Sequence, residues 1–102
     1  MNEPNYSTLA KLDLENIRDY IGQTLQNPDA AHRVCVAIAR RAHLLAAFPH
    51  SGTPCRMAEH PDIEYRRASA QHYVIIYHAE GNVVHIDRVL HESSAYLDAP
   101  LA

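Results

Sequence analysis

The residues of this 102-residue chain that could do acid–base or phosphate chemistry are its eight histidines and nine Lys+Arg side chains. Cleaving RNA would need a base for the 2′-OH, an acid for the leaving oxygen and cations for the phosphate charge that develops. The groups available for that are Arg56, Arg66, Arg67, Arg88, His72, His91 and Tyr96. Lysine is nearly absent, with Lys11 the only one. Each Lys or Arg on a phosphate-binding surface adds affinity through counterion release. A chain of formal net charge −3 therefore lacks the footprint of a protein that lives on nucleic acid. Structural zinc wants four ligands, usually including Cys. Cys35 and Cys55 lie apart from His72, His78, His85 and His91, which fall in facing stretches near the chain's end, and no His-x-His or His-x-x-x-His element occurs, so no metal and no cofactor is expected. Ser51, Ser93 and Ser94 have histidines nearby in sequence, but nothing fixes a base and an orienting acid around them. Residues 50–54 are too poor in glycine to cradle a phosphate.

Composition bounds the elements that must position these groups. At 102 residues and 47% hydrophobic, the chain fits one domain, residues 1–102, with a single core. No stretch of about 18 apolar residues exists, so no transmembrane helix is expected. The start has neither a basic n-region nor an apolar h-region, which makes the cytoplasm the expected location. In that compartment both cysteines are expected as thiols. Charge is segregated: residues 1–32 carry five acids against Lys11 and Arg18, whereas residues 33–41 carry Arg33, Arg40 and Arg41 and no acid. Those arginines read either as a solvated helix face or as a docking surface for an acidic partner, such as a disordered segment that orders on binding.

Ser7 has the chemistry of a helix N-cap. Ala10, Leu14, Ile17 and Ile21 follow at helical spacing, with Asp13 falling mainly off that stripe, and predict a helix over residues 8–25. Asn27-Pro28 restarts the chain, and Ala31, Val34, Cys35, Ile38, Ala42 and Leu45 predict a second helix over residues 28–47. Residues 48–54 read as a loop, because two prolines and a glycine break any period. Strands are expected over residues 63–68, 73–77 and 83–90, the last two joined by a hairpin at Gly81-Asn82. Residues 2–6 can add an edge strand, where Pro4 is tolerated. Residues 97–102 are expected to be a loose tail. The order (β)ααβββ predicts an α+β fold, with an N-terminal helical hairpin packed on one face of a small antiparallel sheet. The turn places His78 opposite His85, Ile76 opposite Asp87, Val74 opposite Val89 and His72 opposite His91. Tyr73, Ile75, Tyr77, Val84, Ile86, Arg88 and Leu90 occupy the other, more apolar face, which is assigned to the helices. Arg88 is the misfit there. Either a β-bulge re-aims it or an acid of the first helix meets it.

Ser7, Ala10, Asp13-Leu14, Ile17 and Tyr20-Ile21, followed by Asn27-Pro28-Asp29-Ala30-Ala31 and Arg33, resemble the RelE/ParE toxins of bacterial type II toxin–antitoxin modules. So do Leu45, Phe48-Pro49 and Gly52, then Arg66 with Tyr73-Val74-Ile75-Ile76-Tyr77, and finally Val84 to His91. The run Arg66-Arg67-Ala68-Ser69 before His72, and Arg88-Val89-Leu90-His91-Glu92-Ser93, are similar to the ParE branch. The resemblance implies a cytoplasmic toxin that inhibits DNA gyrase without chemistry of its own, serves plasmid stabilisation, and forms a hetero-oligomer with a cognate ParD-like antitoxin. The alternative branch implies a RelE-like ribosome-dependent mRNA endonuclease, for which Arg66, Arg88 and His91 are the candidate catalytic residues. A third reading is an inactive, antitoxin-binding relative. Expected target contacts are Arg56, Arg66, Arg67, Arg88 and His91. Expected antitoxin contacts are Ile17, Ile21, Val34, Ile38, Arg40 and Arg41. Many ParE-like chains continue after the final His with Arg-Arg-Asp. This one has Glu92-Ser93-Ser94, so no role of a basic C-terminal end is carried over.

Overall fold

The structure, a computed structural model, describes residues 3–101. Strand β1 (Asn5–Tyr6) leads into helix α1 (Thr8–Asp19), which continues as a π-helical turn (Tyr20–Thr24) before helix α2 (Pro28–Ala47). Strands β2 (Thr53–Cys55), β3 (Tyr65–Ala70), β4 (Tyr73–Glu80) and β5 (Val83–His91) follow, and a 3₁₀ turn (Tyr96–Asp98) ends the chain. The five strands form one sheet in the order β1-β5-β4-β3-β2. All pairs are antiparallel except β1 with β5, so the sheet is mixed. Of the expected edge strand, Asn5–Tyr6 is present, and Met1 and Asn2 lie outside the described residues. No described helix is long and apolar enough to cross a membrane.

Both helix starts follow from their caps. Ser7 Oγ accepts the Ala10 N–H at 3.0 Å, and Asn27 Oδ1 accepts the Ala30 N–H at 3.1 Å, each satisfying one orphan donor. The first helix does not run regularly to residue 25; its last turn widens, with Leu25 N–H bonding Tyr20 O. Ala10, Ile17, Ile21, Ala31, Ile38, Ala42, Leu45 and Ala46 bury against Ile75, Tyr77, Val84, Ile86 and Val89. Alanines at four of those helix positions let the helices lie close to the sheet.

The hairpin departs from strict alternation halfway along. Near the turn the expected pairs hold, from Glu80↔Val83 to Tyr77↔Ile86, with His78 opposite His85. A bulge then inserts Asp87, and the partners become Ile76↔Arg88, Ile75↔Val89, Val74↔Leu90 and Tyr73↔His91. The pairings of Ile76 with Asp87, Val74 with Val89 and His72 with His91 are therefore corrected. One extra residue flips every later side chain to the opposite face. Val89 enters the helix-facing core, and Arg88 and Leu90 leave it.

Arg88 is met by an acid as well as re-aimed. Its Nε and Nη2 donate to the two oxygens of Asp13 at 2.8 and 2.9 Å, and Val89 N–H donates to Asp13 Oδ2 at 2.9 Å. Asp13 is 8% exposed, a buried position and not the off-stripe one expected. Its carboxylate holds the Arg88 guanidinium charged, raising its pKa above the ordinary arginine value. Ser7 works on the same edge: its N–H bonds Ile86 O and its hydroxyl donates to Asp87 O at 2.8 Å. Burial pushes the Asp87 carboxyl above the usual carboxylate range, and a hydrogen bond from the His78 ring pulls it back.

The second sheet face, the more polar one in the sequence, is covered as well. Met57, Tyr65, Val74 and Ile76 are buried there, with Cys55, Tyr96 and Leu101 packed against them. The chain end takes part in this cover: Leu101 N–H bonds Glu59 Oε1, Ala58 N–H bonds Leu97 O and Arg88 Nη1 donates to Pro100 O at 2.7 Å. The segment expected as a loose tail is thus held at three residues, with Ala102 outside the described range. Strand β2 falls in the segment expected as loop; Pro54 fits because β2 is a sheet edge. Both cysteines are free thiols.

Two turns carry local constraints that substitutions can read. Gly52 N–H donates to the Tyr77 hydroxyl at 3.0 Å, and that hydroxyl donates to Pro49 O at 2.8 Å. A Cβ on Gly52 would overlap the hydroxyl and lie 2.8 Å from the ring and 2.9 Å from Arg67 O. Gly52→Ala should therefore cost about 1–3 kcal/mol through overpacking, read by urea unfolding. Between β3 and β4, Gln71 and His72 both have positive φ, 50° and 71°. That backbone suits Gly far better than a residue with a Cβ. His72→Gly should raise stability by about 1 kcal/mol in the same assay. The exposed pair it removes, His72 Nδ1 with Glu92 Oε1 at 2.9 Å, offsets little of that gain.

Candidate functional site

The residues expected for RNA cleavage do not converge. Arg66 on β3 spends Nη1 on His50 O and Gly52 O, at 3.2 and 2.8 Å, and Nη2 on Glu64 Oε1 at 2.9 Å. Arg88, two strands away on β5, is committed to Asp13 and Pro100 O. His91 is exposed at the end of β5, edge-on to Tyr73 at 5.4 Å. Its Nδ1 accepts the Ser93 N–H at 3.1 Å and meets Ser93 Oγ at 2.7 Å. The ring borders a groove of about 550 Å³ between α1 and β5, lined also by Asn16, Tyr20 and Leu90. No free guanidinium faces that ring from these two arginines. A cation whose N–H groups already serve carbonyls and carboxylates must break those bonds to bind a phosphate.

Two of the five expected target contacts remain uncommitted. Arg56 is exposed after β2, beside a groove of about 400 Å³ that includes Ile63 and Tyr65. Arg67 lies half-buried on β3, paired in register with Thr53 and Ile76. Neither side chain makes a hydrogen bond or ion pair among the described residues.

The antitoxin set is corrected in part. Ile17, Ile21 and Ile38 are 7%, 8% and 0% exposed, because the stripe that carries them is the one that holds the sheet. In this fold their side chains are spent on the core, though Ile17 also borders the groove between α1 and β5. Val34 is half-buried against the same core, Arg41 is half-buried and Arg40 is exposed. The outer face of α2 is different in kind. Arg33, Arg40, Leu44 and Phe48 fall on one side of the helix at spacings of seven, four and four. Leu44 is 51% exposed and Phe48 64% exposed. Sequence reading missed both. The available signal was a pair of large apolar residues at i and i+4 that falls outside the core stripe.

Set beside known proteins, the sequence matches the family model described as "ParE toxin of type II toxin-antitoxin system, parDE" over residues 5–96. Among solved structures, the "Chromosomal ParDE TA system from P. aeruginosa" matches with a TM-score of 0.71 and 19% identity. That match covers 89% of this chain and 96% of the other. At such identity the structural likeness speaks for the fold alone. No curated protein matches. The family match spans every strand and both helices, from β1 to the start of the last 3₁₀ turn, and the chain belongs to the ParE toxin family of type II toxin–antitoxin systems.

Proposed function

We propose that this chain is the toxin of a ParDE-type pair, acting by binding to DNA gyrase and neutralised by a cognate ParD-like antitoxin. Family membership supports the toxin role. The observation that favours binding over RNA cleavage is the commitment of Arg66 and Arg88 to internal partners. An acidic chain with a single lysine adds to it. The antitoxin is assigned to the outer face of α2. Arg33, Arg40 and Arg41 give it positive charge, and Leu44 with Phe48 gives it apolar area, which suits an acidic amphipathic segment laid along the helix. Arg56 and Arg67, on the opposite part of the sheet, stay available to the target while that face is covered.

A second reading, an inactive relative retained for antitoxin binding, is favoured by Glu92-Ser93-Ser94 where ParE-like chains are basic. Toxicity on induced expression separates the two. Gyrase-dependent DNA cleavage by the purified chain is expected, with no mRNA cleavage in a translating extract. The reverse pattern would replace the gyrase reading with the ribosomal one. Loss of both activities would favour the inactive relative. For the docking face, Leu44→Asp with Phe48→Asp should weaken antitoxin binding by about 30-fold or more, as loss of a buried anchor does. Toxicity of that variant should be retained and no longer neutralised. Unchanged antitoxin affinity would move the interface elsewhere.

A further inference from the structure

We infer that the turn end of the β4–β5 hairpin binds a divalent first-row transition metal ion, zinc in the first instance, through His78, Glu80 and His85. Strand geometry brings the three together. His78 and His85 are directly opposed across the hairpin, and their rings stack with centroids 4.9 Å apart at 15°. Glu80 lies two residues along β4 from His78 and so shares its face. The ligand atoms of all three lie within 4.8 Å of one another.

The His78 ring is held in one orientation. Its Nδ1 lies 2.6 Å from Asp87 Oδ2, whose side chain is 11% exposed. An ionised carboxylate only accepts, so Nδ1 carries the hydrogen. In the neutral ring Nε2 then presents a lone pair. Yet Nε2 faces Glu80 Oε1, another acceptor, at 3.2 Å. Two lone pairs at that distance repel unless a cation sits between them, either a second ring proton or a metal ion. A ring proton would satisfy Glu80 alone. A metal ion would instead take His78, Glu80 and His85 together, whose ligand atoms all lie within 4.8 Å of one another.

Ligand distances of about 2.0–2.2 Å put neighbouring donor atoms of a tetrahedral site roughly 3.4 Å apart. Glu80 is exposed and His85 half-buried, so both can close that gap by side-chain rotation. A buried carboxylate that fixes the far nitrogen of a ligand histidine is the usual outer support of such a site. Two imidazoles and one carboxylate suit Zn²⁺, Cu²⁺ or Ni²⁺; Mg²⁺ and Ca²⁺ prefer all-oxygen sites. The sequence already sets His78 opposite His85 across the hairpin, but no metal was expected there, because no local His spacing and no cysteine accompany the pair. The ion would cross-link β4 to β5 beside β1, whose Asn5 pairs with His85.

Calorimetric titration of the untagged full-length chain with ZnCl2, alongside thermal melts, tests the site. One zinc per chain is expected, with a melting temperature that rises with zinc, returns with EDTA and does not respond to MgCl2. His85→Asn and Glu80→Gln, both away from the core, should each weaken binding by about tenfold or more. His72→Asn should leave it unchanged. Zinc binding that survives His85→Asn would place the ion on other histidines and overturn the assignment. An absence of zinc-dependent heat and stabilisation, with His78 Nε2 protonated in nitrogen NMR, would assign the gap to a proton and overturn it equally.

Discussion

The carboxylate of Asp13 joins the helical layer to the sheet. It receives three donors, two from Arg88 and one from the Val89 backbone, at a point where β5 has run past its short parallel neighbour β1. Without that acceptor, Val89 would leave an N–H buried and unpaired, and Arg88 would be a largely buried cation with no counter-charge. Ser7 covers the adjoining stretch of the same edge while capping α1, so the helix start and the strand edge are satisfied together. The third arm of the guanidinium reaches Pro100 O, in the segment that closes the second core. One charged group thus ties α1, β5 and the chain end.

This arrangement explains what could be read in the sequence and what could not. Ser7 and Asn27 announce their helices because capping is local chemistry, and α2 begins and ends where that chemistry and its apolar stripe place it. The Gly81 turn is equally local, and the hairpin follows it faithfully for four pairs. Arg88 signalled a conflict, since a charge stood at an inward position, and both remedies open to it occur together. The position of the bulge is not local. It depends on Asp13, 75 residues earlier, finding the strand edge only when one residue is inserted. Met57 and Leu101 were equally hidden: they lie in stretches without period and meet Tyr65 only on the second face of the folded sheet.

The candidate site was legible only where side chains point to water. Arg40 and Arg41 were recognised as part of a basic helix face, but Ile17, Ile21 and Ile38 compete for the core and are taken by it. Leu44 on the same helix and Phe48 at its C-cap are exposed, and the proposed docking surface draws its apolar half from them. On the sheet, Arg66 and Arg88 serve architecture: one pins the loop at residues 50–52, the other clasps α1.

The claim that the Asp13–Arg88 clasp organises the fold is tested most directly by a double-mutant cycle on Asp13→Ala and Arg88→Ala, read as unfolding free energy in urea. Each single substitution should cost about 3–5 kcal/mol, because each leaves an uncompensated partner in a buried place. The double variant should cost less than their sum by about 1–3 kcal/mol, the range of directly interacting pairs. Additive losses, or single losses below about 1 kcal/mol, would contradict the account and reduce the pair to an ordinary surface contact.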